Sequence, residues 1–219
     1  MRTNRHFCQP VTDMLIVASI LGASVARGQG FGPQLGLAGG VSVPVGAYRG
    51  EPSTYGRGFD TGWQGMAFAA FRIPTWPLGF RLDGTYGVNN ANTTLNDSND
   101  QYSTERSKPF GADLDLLWFL PPFHVAPYLL GGVGVYHTTI SITGGRFGPA
   151  DTSQTTVAWN VGVGVLYNIR ALHLFLEARY VSVAGGLGFS CPLATSCPRL
   201  LGPRTTFVPI LAGIQFGKP

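Results

Sequence analysis

Charge is scarce in this chain. Its 15 Lys and Arg and 11 Asp and Glu make 12% of 219 residues, about half of the roughly 25% usual in soluble domains. A water-facing surface on a domain this size normally needs more. Long apolar runs are missing as well, so no stretch of about 20 apolar residues is present to cross a bilayer as a helix. Long helical bundles and coiled coils are excluded by 31 Gly and 16 Pro, since together these breakers average only roughly 12% of a sequence. The net charge of +4 is too mild and too scattered to argue for nucleic-acid binding. Few charges, no spanning helix and many glycines leave a β-barrel whose outer surface faces lipid.

Cysteine is nearly absent too, with three in the chain. Cys8 lies in the first 30 residues, which read as a secretory signal peptide. Arg2 and Arg5 give the positive start, Met14 to Val25 an apolar core of twelve, and Ser24-Val25-Ala26 a small-x-small cleavage site. The expected domain plan is therefore a leader over 1–26, with cleavage as late as residue 30, and a barrel over 31–219. An uncleaved anchor or a buried helix is the alternative, although the run is too short to span. After cleavage the two remaining cysteines, Cys191 and Cys197, form a close pair in FSCPLATSCPRL. In an exported chain the simplest expectation is one short disulfide. A two-cysteine metal site competes weakly, because no histidine lies nearby.

Period-2 segments alternate with polar or Gly/Pro breaks along the rest of the chain. They predict eight strands, near 34–48, 61–73, 78–88, 109–119, 124–136, 156–168, 172–183 and 205–216. The connections alternate in length. Tight turns follow the second, fourth and sixth strands at 74–77, 120–123 and 169–171, while long polar loops occupy 49–60, 89–108, 137–155 and 184–204. Short turns on one rim and long loops on the other mark an outer-membrane barrel. The fold class is thus all-β, an eight-stranded antiparallel up-and-down transmembrane β-barrel.

Aromatics gather toward strand ends, as two girdles at the headgroup layers require. The loop rim receives Tyr48, Trp63, Tyr86, Phe110, Tyr136, Trp159, Tyr180 and Phe207; the turn rim receives Phe71, Phe80, Trp118, Tyr128, Tyr167, Phe175 and Phe216. Phe175 and Phe207 have inward parity and read as interior filler. Tyr48, Trp63, Tyr86, Trp118, Trp159, Tyr180 and Phe216 form the expected girdle proper.

Alternation also sorts charge. Arg72, Arg81, Asp83, Asp113, Asp115, Glu177 and Arg179 all take the inward parity of their strands, as the cost of a charge in hydrocarbon demands. Eight strands enclose a lumen just wide enough for side chains to fill. Paired charges filling that lumen are the first reading, and a gated ion path is the second. The fifth strand, PYLLGGVGVY, is ambiguous in parity, and Gly131, Gly132 and Gly134 let inward neighbours approach closely.

These features together resemble a family. The leader, the GLAGGVSVPVG opening strand, the Arg81-Leu82-Asp83 third strand, the fifth strand just quoted and a last strand ending in Phe216 look like the OmpA-like small outer-membrane barrels. The resemblance covers most of residues 31–216 and rests on patterning. It implies a structural, adhesive or surface-exposed membrane protein. It also implies a monomer in contact with outer-membrane lipid and lipopolysaccharide, handed to the barrel-assembly machinery through its C-terminal strand. Three residues, Gly217-Lys218-Pro219, follow the terminal aromatic, a small departure from the family pattern.

Some eight-stranded barrels modify lipids, so catalysis has to be considered. His137 stands near Thr138, Thr139 and Ser141, with Asp151 in the loop beyond; His173 shares a face with Glu177 near the turn rim. Neither assembles a nucleophile, base and orienting acid, and no catalytic, cofactor or metal site is expected. The run Asn96 to Asp100 lacks the EF-hand pattern. Arg106, Lys108, Arg146, Arg199 and Arg204 belong to the loop side, where they meet lipopolysaccharide phosphates or simply solvent.

Overall fold

The computed structural model describes residues 33–49, 58–91, 95–96, 102–120, 125–144, 150–169, 172–185 and 205–217. The expected leader over 1–26 and the Cys191–Cys197 pair lie outside the described residues.

The described strands are β1 (Gln34–Val45), β2 (Gly62–Arg72), β3 (Leu78–Asn90), the two-residue β4 (Leu95–Asn96), β5 (Tyr102–Phe119), β6 (Val125–Gly144), β7 (Ala150–Ile169), β8 (Leu172–Val183) and β9 (Thr205–Phe216). Every pairing among them is antiparallel. β1 pairs with β2 and β9, and a β3–β5 ladder from Leu78↔Trp118 to Asn90↔Arg106 closes the ring. β4 is only a rung on the loop-side extension of β5, at Leu95↔Ser103 and Asn96↔Tyr102. Eight long strands therefore form a closed up-and-down barrel.

Closure answers the problem of backbone polarity in lipid. Ladder bonds take up the backbone N–H and C=O groups that would otherwise face hydrocarbon, with a short break where Arg179 and Tyr180 pass Val208 and Pro209, and the closed ring leaves no strand edge open. The pleat then sorts side chains by parity. Leu37, Leu82, Leu114, Val133, Val163 and Leu176 lie on the outside and are exposed, whereas Met66, Phe68, Leu117, Leu166, Phe175 and Leu211 lie inside and are buried. In a water-soluble protein the first set would be a liability. Here it is the surface that contacts acyl chains.

Three strands are longer than the sequence predicts. β5 starts at Tyr102 instead of 109, β6 runs on to Gly144 instead of 136, and β7 starts at Ala150 instead of 156. Much of the expected loops 89–108 and 137–155 is thus a protruding hairpin sheet. Thr138 to Thr143 and Thr152 to Val157 are rich in β-branched residues that suit a strand, but their polarity makes them look like loop. The first strand is shorter than expected. It stops at Val45, and Gly46–Tyr48 form a 3-10 turn entered through Gly46 at φ +58°.

That turn corrects the girdle. Tyr48 does not face lipid: it is folded into the loop-side mouth and buried, its hydroxyl donating to Ser107 Oγ at 2.8 Å and its ring 4.9 Å from that of Phe59. Burial pushes the Tyr48 hydroxyl up to about 12 against the opposing pull of Ser107, so it stays a neutral donor. Tyr128 and Tyr136 also point inward and are buried. Trp63, Tyr86, Trp159 and Tyr180 are exposed toward the loop side, as Trp118 and Phe216 are toward the turns. The loop-side rings contact each other in pairs, Trp63 with Tyr86 at 5.6 Å and Trp159 with Tyr180 at 5.5 Å.

The β6 parity, ambiguous in sequence, is even-inward: Tyr128, Leu130, Gly132, Gly134 and Tyr136 face the lumen, while Leu129, Val133 and Val135 face lipid. Large inward side chains sit opposite glycines on the neighbouring strand. Tyr136 pairs with Gly111, Tyr128 with Gly164, Phe68 with Gly36 and Phe175 with Gly213. A Cβ on Gly164 would stand 2.3 Å from the Tyr128 ring, and one on Gly111 2.5 Å from the Tyr136 ring. The ring lies across the bare backbone, which is how a narrow lumen holds tyrosines at all.

This size matching predicts a contrast between two glycines. Gly164→Ala should destabilise the barrel by about 1–3 kcal/mol through overpacking. Gly84→Ala, whose Cβ would face outward with its nearest neighbour at 3.9 Å, should be close to neutral. Equilibrium denaturant unfolding in lipid vesicles reads both; equal effects would remove the size-matching account.

Candidate functional site: the charged centre of the lumen

Three strands carry charge-x-charge triplets, Arg81-Leu82-Asp83 on β3, Asp113-Leu114-Asp115 on β5 and Glu177-Ala178-Arg179 on β8. Residues two apart on a strand share a face, so each triplet delivers two charges to the lumen. Register brings β3 and β5 together directly, with Arg81 opposite Asp115 and Asp83 opposite Asp113. β8 lies across the barrel and reaches the same level.

The result is a ring of ion pairs around two guanidinium groups. Arg81 forks onto Glu177, Nη1 donating to Oε2 at 2.8 Å and Nη2 to Oε1 at 3.0 Å. Its Nε forms an ion-pair contact with Asp83 Oδ1 at 2.9 Å and its Nη2 another with Asp115 Oδ2 at 3.5 Å. Arg179 donates to Asp115 Oδ2 at 3.0 Å and to Asp83 Oδ2 at 2.5 Å, and also pairs through Nε with Glu177. Both arginines thus share the same three carboxylates. Every one of these side chains is at most 3% exposed.

Neutral groups complete the shell. Asn160 on β7 donates to Asp115 Oδ1 at 2.9 Å and to Asp113 Oδ1 at 3.3 Å. The Tyr136 hydroxyl donates to Asp113 Oδ2 at 2.8 Å, and that of Tyr128 to Glu177 Oε2 at 2.6 Å. The Phe68 ring faces the Arg81 guanidinium at 5.1 Å. Charge-assisted bonds of this kind are the stronger class, and in a medium of low dielectric they also hold strand register.

Apolar layers lie on either side of this centre. Toward the turns, Met66, Phe68, Leu117, Tyr128, Leu166 and Phe175 belong to one cluster. Toward the loops, Tyr48, Phe59, Tyr136, Val181, Val183 and Phe207 form another. Tyr128 and Tyr136 join the layers, each with its ring in an apolar cluster and its hydroxyl on a central carboxylate. A cavity of about 10 Å³ opens by Arg72, Arg81, Phe119, Tyr128 and Gln215, about the minimum for one water.

Six of the seven charges assigned to the interior by parity meet in or beside this centre. Arg72 stands apart, half-buried at the turn end of β2 with its guanidinium 4.4 Å from the Phe119 ring centre, and forms no ion pair among the described residues. Asn160, Tyr128 and Tyr136 were not singled out from sequence as partners of the charges. The alternating Val133-Gly134-Val135 would have fixed the parity of Tyr128 and Tyr136 on β6, since valine suits lipid and glycine the crowded interior. The histidines are held elsewhere: His137 Nδ1 lies 2.9 Å from Thr155 Oγ1, and buried His173 has Nε2 3.2 Å from the Gly217 carbonyl. Among the described residues no group of three or more His, Cys, Asp or Glu is placed to hold a metal.

A closed antiparallel barrel with an apolar outer belt, aromatic rows at both ends and a polar lumen defines an integral outer-membrane protein. The chain belongs to the outer membrane protein beta-barrel domain family, whose model matches residues 14–187. No curated protein sequence matches it. Among solved structures, Neisserial surface protein A (NspA) is similar with a TM-score of 0.51 at 16% identity, over 86% of this chain and 99% of that one. A major outer membrane protein from Thermus thermophilus follows at 0.49 and 15%, over 84% and 98%. Ail of Yersinia pestis, solved with the heparin analogue sucrose octasulfate, gives 0.46 and 13%, over 84% and 99%. At 16% identity the likeness to NspA speaks to the fold alone, and the closed ring of eight long strands agrees with the expected barrel.

The shared-carboxylate arrangement predicts a graded loss of stability. Glu177→Ala strips a partner from Arg81, Arg179 and Tyr128 together and should cost about 3–5 kcal/mol, the usual result of breaking a buried pair. Arg72→Ala removes only a cation–π contact and should cost less than about 1 kcal/mol. Thermal or denaturant unfolding of the refolded barrel separates the two; comparable losses would show that the central pairs hold nothing beyond a rim contact.

Proposed function

We propose that this protein is a closed, non-conducting barrel that serves a structural or surface-interaction role in the outer membrane, without catalysis. The observation that carries the reading is the pairing of Arg81 and Arg179 with Asp83, Asp115 and Glu177 across the lumen. An ion entering from either mouth would have to displace an apolar layer and then break these ion pairs. The central charges act as a plug that fills the barrel and pins its strands. Interaction with the outside falls to the protruding β5–β6–β7 sheet and the loops.

In this reading the loops and the long strand ends are extracellular, and the turns and both mature termini are periplasmic. The sheet extensions support it. Polar, two-sided strands such as Thr138 to Thr143 are stable in water beyond the membrane, and the short turn at Pro74 to Pro77 gives the other rim little to present. The protein acts as a monomer, is surrounded by outer-membrane lipid and lipopolysaccharide, and enters the membrane through assembly machinery that reads the strand ending at Phe216. The rival reading, a narrow channel, uses the same charges as a conducting path.

Planar-bilayer recording of the refolded mature chain, checked by its heat-dependent gel migration, tests the plug. Wild type should be silent, and a steady conductance altered in Arg81→Ala or Asp113→Ala would make the protein a small pore instead. Orientation is tested by an epitope inserted after Gly144 and another within the Pro74–Pro77 turn. In intact cells only the first should bind antibody, and the reverse pattern would invert the assignment.

A further inference from the structure

Outward-facing strand positions change character beyond the loop-side aromatics. Tyr86 on β3 and Phe110 on β5 are a cross-strand pair, and both are exposed to lipid. The next outward positions along β5 are Lys108 and Arg106. They lie opposite Thr139 and Ser141 on β6, where hydroxyl side chains replace the valines of the belt. Lys108 Nζ donates to Ser141 Oγ at 3.3 Å, and Arg106 Nε donates to Asn90 Oδ1 at 3.0 Å. Neither cation is in an ion pair among the described residues, and they are the outward-facing cations of the described strands. Among the described residues the forked end of the Arg106 guanidinium has no partner, and Lys108 has donors to spare beyond its bond to Ser141. Asp151, on the far side of β6 opposite Ser141, is the carboxylate in the same outward row.

Depth settles what such a pair faces. Aromatic rows mark the boundary between acyl chains and headgroups. Each outward step along a strand advances about 6.7 Å, or about 5 Å in height at the usual tilt of about 45°. Lys108 is one step beyond Phe110 and Arg106 two, which places them about 5–10 Å above the aromatic row, at the level of lipid phosphates. Unpaired cations beside hydroxyl donors at that level are complementary to a phosphate ester.

We propose that the outer face of β5 and β6 above the aromatic row is a binding site for a phosphate-bearing lipid headgroup. Lys108 and Arg106 are its charged ligands, with the Thr139 and Ser141 hydroxyls beside them. With the loops extracellular, the occupant is the phosphorylated glucosamine headgroup of lipopolysaccharide. The site lies outside the barrel wall, so it stands whether or not the lumen conducts.

Native mass spectrometry of the refolded full barrel, released from micelles doped with bis-phosphorylated lipid A, reads the site directly. Dephosphorylated lipid A and phosphatidylcholine serve as comparison lipids. Wild type should retain bis-phosphorylated lipid A over both, and Arg106→Ala/Lys108→Ala should lower that retention about tenfold or more, given the usual worth of two basic residues at a charged membrane surface. Arg106→Lys/Lys108→Arg should keep most of it. The double-alanine variant must still show the heat-dependent gel shift, as expected of side chains outside the packed lumen. Equal retention by the double-alanine variant, or equal retention of the dephosphorylated lipid by wild type, would overturn the proposal.

Discussion

The absence of water in a bilayer is the constraint from which this structure follows. Backbone groups there must be paired within the protein, and a chain with no spanning helix can do so only by closing a sheet on itself. Closure at eight strands leaves a lumen just wide enough for side chains to fill. The pleat then gives each residue only two surroundings, hydrocarbon or lumen, so polarity decides placement more sharply than in a soluble core. The scarcity of charge, the glycine abundance and the outward leucines and valines are consequences of that single condition.

The lumen resolves into layers. Apolar clusters occupy both ends, and charges meet between them, where they bond to one another instead of to solvent. Such a centre carries a large desolvation cost, offset only while the geometry of all partners is kept. Sharing three carboxylates between Arg81 and Arg179 spreads that requirement over β3, β5 and β8, strands far apart in sequence. The tyrosines extend it further, since Tyr128 and Tyr136 tie the charges to the packing of the ends.

Most of the fold was legible because a strand in a membrane barrel writes its orientation into every second residue. The triplets around Leu82, Leu114 and Ala178 exposed their inward charges on that ground alone, and the short turns fixed the order of hairpins. What escaped sequence reasoning has physical causes. Strands that leave the membrane lose the apolar half of their alternation, so the upper parts of β5, β6 and β7 look like loops. Aromatic residues near strand ends suit both a girdle and a packed mouth, and only the backbone turn at Gly46 decides that Tyr48 goes inward. On β6 the adjacent Gly131 and Gly132 blur the period, and with it the hydrogen bonds of Tyr128 and Tyr136 to the central carboxylates.

The inward glycines change how the importance of a position should be judged. A survey by alanine replacement values a residue by what is lost on deleting its side chain. At Gly111, Gly132, Gly134 and Gly164 the alanine is the larger residue, and the atom it adds would fall within 3 Å of a tyrosine ring or an aspartate oxygen. Much of the information that specifies this barrel is thus held as reserved emptiness, visible only to experiments that add volume.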